Sequence, residues 1–428
     1  MEKAMENTTT SAPLVTADGI PLKESLQRAL RQKRRQAFML VLPLLVFIFV
    51  LFVLPIAIML TRSVDNPEVN SILPRTVVAL KSWDETSGDL PSEDVFKILA
   101  EEILLSKKNQ VNGKVGKRLN YDMPGMASLF RSSPRAIKRM KEGPYREKMI
   151  NIKYVGKMFG DVAAWRLIKR EGDPVTASYY LSAVDMKFDK NGSIAAQPEE
   201  RQIYKFLFVR TFLMSIAITL LTILLGYPIS YLLATLPLRH AALLMILVLL
   251  PFWTSLLVRT SAWMVLLGNE GVINELFVWS GLIDDKNRFA LINNQFGTLV
   301  AMTHILLPFM ILPLYSVMKT IPPSYMRAAR SMGATQWRAH IKVYFPLTLT
   351  GIGAGTLLVF ILAIGYYITP ELVGGQNGTF ISNQIAFHFE STLNWGLASA
   401  LGAILLVFVM VLYALYDRVI GIDKMKLG

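Results

Sequence analysis

The sequence predicts an all-α membrane protein with about six transmembrane helices and a hydrophilic insert after the first of them. Three observations predict it: 53% hydrophobic against 18% charged residues in a chain of 428, apolar runs long enough to span, and Lys and Arg gathered at the ends of those runs. A soluble chain carries about 25% charged residues, so part of this one must lie in lipid. The formal charge of +14 does not point to nucleic acid, because the basic residues fall beside apolar runs, where they set orientation. Cysteine is absent, which excludes disulfides, thiolate metal sites and cysteine nucleophiles.

A hydrocarbon core about 30 Å thick needs roughly 20 apolar residues as helix. Runs at approximately residues 36–60, 209–236, 241–267, 296–318, 347–369 and 395–416 meet that length. The first lies too far from the N-terminus, and is too long, for a cleaved signal peptide. Pro43, Pro55, Pro228, Pro251, Pro308 and Pro313 fall inside or at the ends of these runs, where spanning helices tolerate them and kinks are expected.

Orientation follows from the short flanks, since Lys and Arg favour the cytoplasm there. Arg28, Arg31, Lys33, Arg34 and Arg35 crowd the start of the first run and place residues 1–35 inside as a cytoplasmic tail; its first 24 residues are polar and Thr-rich and are predicted to be disordered. Residues 36–61 form the first transmembrane helix. Six crossings then put Arg239, the loop 320–346 and the tail 419–428, with Lys424 and Lys426, inside as well. The stretch 370–394 falls outside and contains no Lys or Arg.

Residues 62–205 are placed outside although rich in Lys and Arg, because long loops translocate largely regardless of charge. At about 140 residues they can bury a core of their own. Ser92 reads as the N-cap of a helix carrying Val95, Phe96, Leu99 and Ile103, with Glu93 and Asp94 in the first turn. Residues 179–186 have the composition of a strand, making this extracytoplasmic insert an α+β domain. Residues 206–418 then hold five further spans.

No catalytic or nucleotide-binding motif is visible: there is no Gly-rich loop ending in Gly-Lys-Ser/Thr, no His-Glu-x-x-His and no Gly-x-Ser-x-Gly. His240, His304, His340 and His388 show no metal-ligand spacing. His304 sits within a span and reads either as a packed, hydrogen-bonded ring or as a transport residue. Gly351 and Gly355 form Gly-x-x-x-Gly at the start of a span, which signals close helix packing.

The informative loop runs Ser324-Tyr325-Met326-Arg327-Ala328-Ala329-Arg330-Ser331-Met332-Gly333-Ala334 and continues through Trp337 and Val343 to Phe345-Pro346. Physically it is a short helix, a turn at Gly333 and a second basic helix leading into a span. It resembles the "EAA" signature of bacterial ABC importer permeases, Glu-Ala-Ala-x3-Gly-x9-Ile-x-Leu-Pro. Ala328, Ala329, Gly333 and Pro346 match outright, Val343 stands for Ile and Phe345 for Leu, while Arg327 replaces the leading Glu. A second resemblance, over roughly residues 209–418, is to the PotB/PotH subfamily of spermidine and putrescine permeases. Its residues are Leu250 to Thr260, Ala262-Trp263, Gly226-Tyr227-Pro228, Leu307 to Met310 and Thr369 to Gly375. The insert 62–205 is not covered by it.

The resemblance implies a permease that pairs with a homologous permease, a dimer of ABC ATPase subunits and an extracytoplasmic substrate-binding protein, in a bacterial inner membrane. It implies ATP and Mg on the ATPase, no cofactor on this chain and no bond chemistry here. It implies that Arg327, Ala328, Ala329, Gly333, Val343 and Pro346 belong to the coupling loop that docks on the ATPase.

Candidates for the translocation path are Trp253, Arg259, Trp263, His304, Tyr366, Tyr367 and Glu371. A lone intramembrane Arg costs about 2.5–3.5 kcal/mol on insertion scales, so Arg259 requires a partner or a wet cavity; it reads equally as a path residue or as a brace between helix ends. The aromatic residues offer faces to a cationic polyamine or simple interfacial packing, and Glu371 either attracts a polycation or is a solvated loop carboxylate. Other solutes of this importer type, such as opines or phosphonates, are the nearest alternative. A membrane-anchored enzyme or sensor working through the insert, or an ion-coupled carrier, are rivals of other classes; the insert shows no catalytic set, and a carrier would show an internal repeat and membrane-embedded acids.

Overall fold

The computed structural model describes residues 22–140, 143–189 and 192–420. The predicted disordered N-terminal residues up to 21, and Lys424 and Lys426, lie outside the described residues. Among those described, five helices are long and apolar enough to cross a membrane, or six when one sharply bent pair is taken as a single span.

The first helix, α1 (Leu30–Arg62), stands as a compact unit by itself up to Thr61, and none of its apolar stretch is buried. Residues Phe49–Val53 widen to a π-helix just ahead of Pro55. The reason is local. A proline has no N–H to give and its ring crowds the carbonyl four residues earlier, and a wider turn relieves both problems without ending the helix.

The second unit begins at Arg62 and contains both the insert and the remaining spans. Its membrane part comprises α2 (Tyr204–Thr235), α3 (Leu238–Leu249), α4 (Leu256–Leu267), α5 (Gln295–Thr320), the short α6 (Pro323–Ser331), α7 (Phe345–Gly365), α8 (Ile368–Val373) and α9 (Trp395–Ile420). Asn294 caps α5 by accepting from the Gly297 N–H at 3.0 Å, one of the orphan donors at a helix start. The central packing joins α2, α5 and α7 through Met214, Ile218, Met302, Leu306, Met310, Leu314, Val359 and Ala363, all buried. Gly355 permits that approach: a Cβ there would lie 2.6 Å from Met310 Sδ. Gly351 likewise faces Val317 and Leu314 at 3.0 and 3.2 Å, so the predicted Gly-x-x-x-Gly pair is a close-packing surface.

The predicted third span, 241–267, is corrected. It is broken after Trp253, and the limbs Leu238–Trp253 and Leu256–Trp279 meet at 97°. Pro251, in the 3-10 turn Leu250–Trp253 that ends the first limb, cannot continue an α-helical ladder, and Thr254 Oγ1 caps the freed Pro251 carbonyl at 2.7 Å. The second basic helix expected after Gly333 runs without a break into the span, as one helix from Gln336 to Gly365. A second π segment, His340–Tyr344, lies just ahead of Pro346, the same device as at Pro55.

The insert is mostly helical. Glu93–Lys108 forms the helix expected after Ser92, and Val95, Phe96, Leu99 and Ile103 are buried. Ser92 holds the N-cap position with no side-chain cap bond; Glu93 instead accepts from the backbone N–H groups of Tyr145 and, at 2.9 Å, Arg146. Trp165 packs on Phe96 at 4.5 Å between ring centroids and donates to the Phe159 carbonyl at 2.9 Å. The predicted strand 179–186 is corrected: Ser178–Ala183 is helical and the strands are β1 (Met186–Phe188) and β2 (Ile194–Ala196), paired antiparallel. Tyr179 and Ala183 face inward because they pack with Tyr204, Leu207, Leu397, Ala400 and Leu401. Gly396 makes room for the Tyr179 ring, 2.4 Å from where a Cβ would stand, and Lys117 Nζ donates to the Thr392 carbonyl. The insert is thus fastened to α9.

Candidate functional site

The basic loop is built from α6, a reversal at Gly333 and the helical turn Gln336–Ala339. Gly333 has φ +87. Its N–H donates to the Arg330 carbonyl at 3.0 Å and the Ala334 N–H to the Ala329 carbonyl at 3.1 Å, the pair of bonds that closes a helix on a left-handed residue. No atom lies within 4 Å of the place a Cβ would occupy; within this chain the glycine serves backbone conformation, not close packing. Thr335 accepts from the Arg338 N–H at 3.3 Å and caps the next turn.

Of the six loop residues, Ala329 alone is buried; Arg327, Ala328, Gly333 and Pro346 are exposed and Val343 is half-buried. Around them Tyr325, Met332 and Trp337 are exposed by 50%, 81% and 73%. Large apolar side chains held open on a basic tip make a surface that fits another protein.

Sequence reasoning missed the aromatic cluster behind this tip. The His340 ring lies in the π segment, 5.0 Å from Tyr231 and 5.1 Å from Tyr344, and its Nε2 shares a hydrogen bond of 3.1 Å with Tyr227 OH. It joins the loop to α2. The signal available was the tyrosine pair Tyr227 and Tyr231 one turn apart on α2.

The second constellation lies one turn beyond the break in the bent pair. Trp263 Nε1 donates to His304 Nδ1 at 3.1 Å, with ring centroids 5.3 Å apart. Thr260 and Thr369 share a buried hydrogen bond of 3.1 Å, which ties α4 to α8. Trp263 and His304 thus meet between α4 and α5; Tyr366 follows the end of α7, and Arg259 stands one turn before Trp263 on α4. The guanidinium has no partner at Nε or Nη1 among the described residues, and both atoms are buried.

Trp253 does not join them: it is 72% exposed, and its neighbour Phe252 packs on Phe309. Tyr367 and Glu371 belong to an adjacent group organised by Asn383, whose Nδ2 donates to the Tyr367 carbonyl at 2.9 Å and to Glu371 Oε2 at 2.6 Å. Ser382 Oγ donates to the Tyr366 carbonyl at 2.6 Å. Asn383 and Ser382 were not singled out by sequence, because only the chain reversal after Gly378 brings them back to the end of α7.

A third polar group is buried in the insert. Glu171 accepts from Arg118, from Arg170 Nε at 2.9 Å, from Ser178 Oγ at 2.8 Å and from Asn66 Nδ2 at 3.1 Å. Arg118 also donates to Asn66 Oδ1 and Asp122 Oδ2, each at 2.8 Å. Burial pushes the Glu171 carboxyl up, but the two guanidinium groups and the Ser178 hydroxyl outweigh it and hold the group below the ordinary carboxylate range.

This arrangement, a broken span around a polar cluster with an exposed basic loop on the same helical frame, is that of an importer permease. The chain belongs to the family described as binding-protein-dependent transport system inner membrane component, which it matches over residues 192–420. It is 34% identical over 205 residues to the spermidine/putrescine transport system permease protein PotB of Salmonella typhimurium (strain SL1344), covering 48% of this chain and 71% of that one. It is 29% identical over 229 residues to the inner membrane ABC transporter permease protein YdcU of Escherichia coli (strain K12), covering 51% and 73%. Among solved structures, a bacterial alginate ABC transporter in complex with alginate pentasaccharide-bound periplasmic protein aligns over 54% of this chain and 82% of its own, at 17% identity and a TM-score of 0.43.

Proposed function

We propose that this chain is the non-catalytic translocation subunit of a polyamine importer, acting with a homologous permease, two ATPase subunits that hold ATP and Mg, and an extracytoplasmic binding protein. The observation that carries the reading is the loop around Gly333, exposed at its tip and continuous with a spanning helix at its base. Arg327, Ala328 and Gly333 form the face offered to the ATPase, backed by buried Ala329 and with Met332 and Trp337 as apolar anchors. Val343 and Pro346 lie where that face joins the membrane helix.

Helix Gln336–Gly365 has 30 residues, or about 45 Å at 1.5 Å per residue. Its far end is Tyr366, whose carbonyl accepts from Ser382 Oγ. A displacement of the loop by closing ATPases is thereby delivered to that end as a rigid-body shift, which is how access alternates between the two sides. The two termini and the loop lie in the cytoplasm of a bacterial inner membrane, and the insert on the other side, because the short flanks carry the positive charge.

Polyamine as solute is supported by the likeness to PotB, a spermidine/putrescine permease, and by the aromatic faces of Trp263, Tyr366 and Tyr367. The test is ATPase activity of the assembled transporter in lipid, measured with its binding protein loaded with putrescine or spermidine. Stimulation by these is expected. Stimulation by an opine, phosphonate or amino acid, with no response to polyamines, would overturn the substrate and leave the importer reading in place.

A further inference from the structure

Arg259 poses a chemical question that the chain does not answer by itself. Two of its guanidinium nitrogens, Nε and Nη1, are buried without a hydrogen-bond partner among the described residues, and an uncompensated cation inside a membrane protein is expensive. Other polar groups on the same elements are engaged with one another. Trp263 Nε1 gives its proton to His304 Nδ1, so the neutral imidazole carries its own proton on Nε2 and can only donate there. Thr260 and Thr369 bond to each other, and the Tyr366 carbonyl is held by Ser382. What remains is a guanidinium with Nε and Nη1 buried and unpaired among the described residues.

Such a group selects an acceptor that also brings negative charge. A carbonyl would satisfy one N–H and leave the charge unbalanced, whereas a carboxylate does both. We propose that Arg259 forms a carboxylate-binding site, filled either by an Asp or Glu side chain of the second permease subunit or by a carboxylate of the solute. The proposal rests on the importer reading and is independent of the polyamine reading. A polyamine has no carboxylate, so with that solute the acid comes from the second permease and the pair acts as a latch across the path.

The experiment uses the complete transporter in proteoliposomes, with uptake and subunit retention both measured. Arg259→Gln should lose uptake by roughly tenfold or more with its subunits retained, and Arg259→Lys, which keeps the charge, should recover part of it. Arg259→Glu should be inactive. Restoration of Arg259→Glu by an acidic-to-Lys change in the second permease, found by suppressor selection, identifies the partner as the source. A switch of Arg259→Glu from carboxylate-bearing to amine-bearing solutes identifies the solute; that result keeps the site and ends the polyamine reading. Wild-type uptake in Arg259→Gln, or an Arg259→Glu variant that neither route restores, overturns the site and leaves the polyamine reading standing.

Discussion

At the scale of single residues, Gly333 and Glu171 carry the clearest consequences. Because Gly333 stands at φ +87 in open space, substitution there is penalised by backbone conformation, at about 1 kcal/mol or more for residues with a Cβ. Gly333→Asn should therefore retain its ATPase better than Gly333→Ala, and Gly333→Val least, when co-purification is measured; an order following side-chain volume would mean that the partner groove, not the turn, sets the requirement. For Glu171, whose carboxyl is held below its ordinary value, the stabilisation is complete above the unfolded value of about 4.3 and is lost as pH falls through the lower folded value. Glu171→Gln removes one of the two carboxylate partners of buried Arg118 and leaves Asp122, and should cost about 1–3 kcal/mol. In thermal unfolding of the full chain the mutant's deficit should be largest near neutrality and shrink as the pH drops below about 4. Sequence showed Gly333 through its spacing from Ala329. It could not show Glu171, because Asn66, Arg118 and Ser178 are separated from it in the chain and meet it only after folding.

At the scale of elements, apolar length identified the spans but not their shape. Hydropathy sees no difference between a straight run and one broken at Trp253, since Thr254 and Ser255 are uncharged and the limbs on either side are equally apolar; Pro251 was the only local hint. Helix Gln336–Gly365 was legible as two pieces, a basic helix after Gly333 and an apolar span, because Arg338, His340 and Lys342 keep the apolar run from extending back through its first turns. The Gly-x-x-x-Gly reading needed no tertiary information, since small residues one turn apart define a face wherever the helix packs. Gly355→Val should lower the unfolding temperature in detergent by the equivalent of roughly 1–3 kcal/mol, because its Cβ collides with fully buried Met310. Gly365→Ala, with no atom within 4 Å, should be near neutral. Equal effects would mean that α5 and α7 separate easily at this contact.

At the scale of the whole molecule, the charge pattern makes a topological prediction that the absence of cysteine renders simple to test. Asn377→Cys should react with a membrane-impermeant maleimide from the periplasmic side, and Arg338→Cys only after the inner membrane is opened; both residues are exposed in the chain. The reverse pattern would invert the orientation. The path candidates were legible singly, as ionisable or aromatic groups inside apolar runs, whereas the meeting of Trp263 with His304 required the packing of α4 on α5.

The seat of Tyr179 in the notch at Gly396 has a practical consequence for imaging and for engineering. An antibody fragment raised against the insert would report the position of α9, because the two are fastened through Tyr179, Ala183, Leu397 and Leu401; such a fragment adds recognisable mass outside the lipid while marking a helix within it. Trimming the chain to its membrane helices would uncover those same apolar residues at the end of α9, so a shortened variant needs polar replacements at Leu397 and Leu401 before it can be expected to stay dispersed.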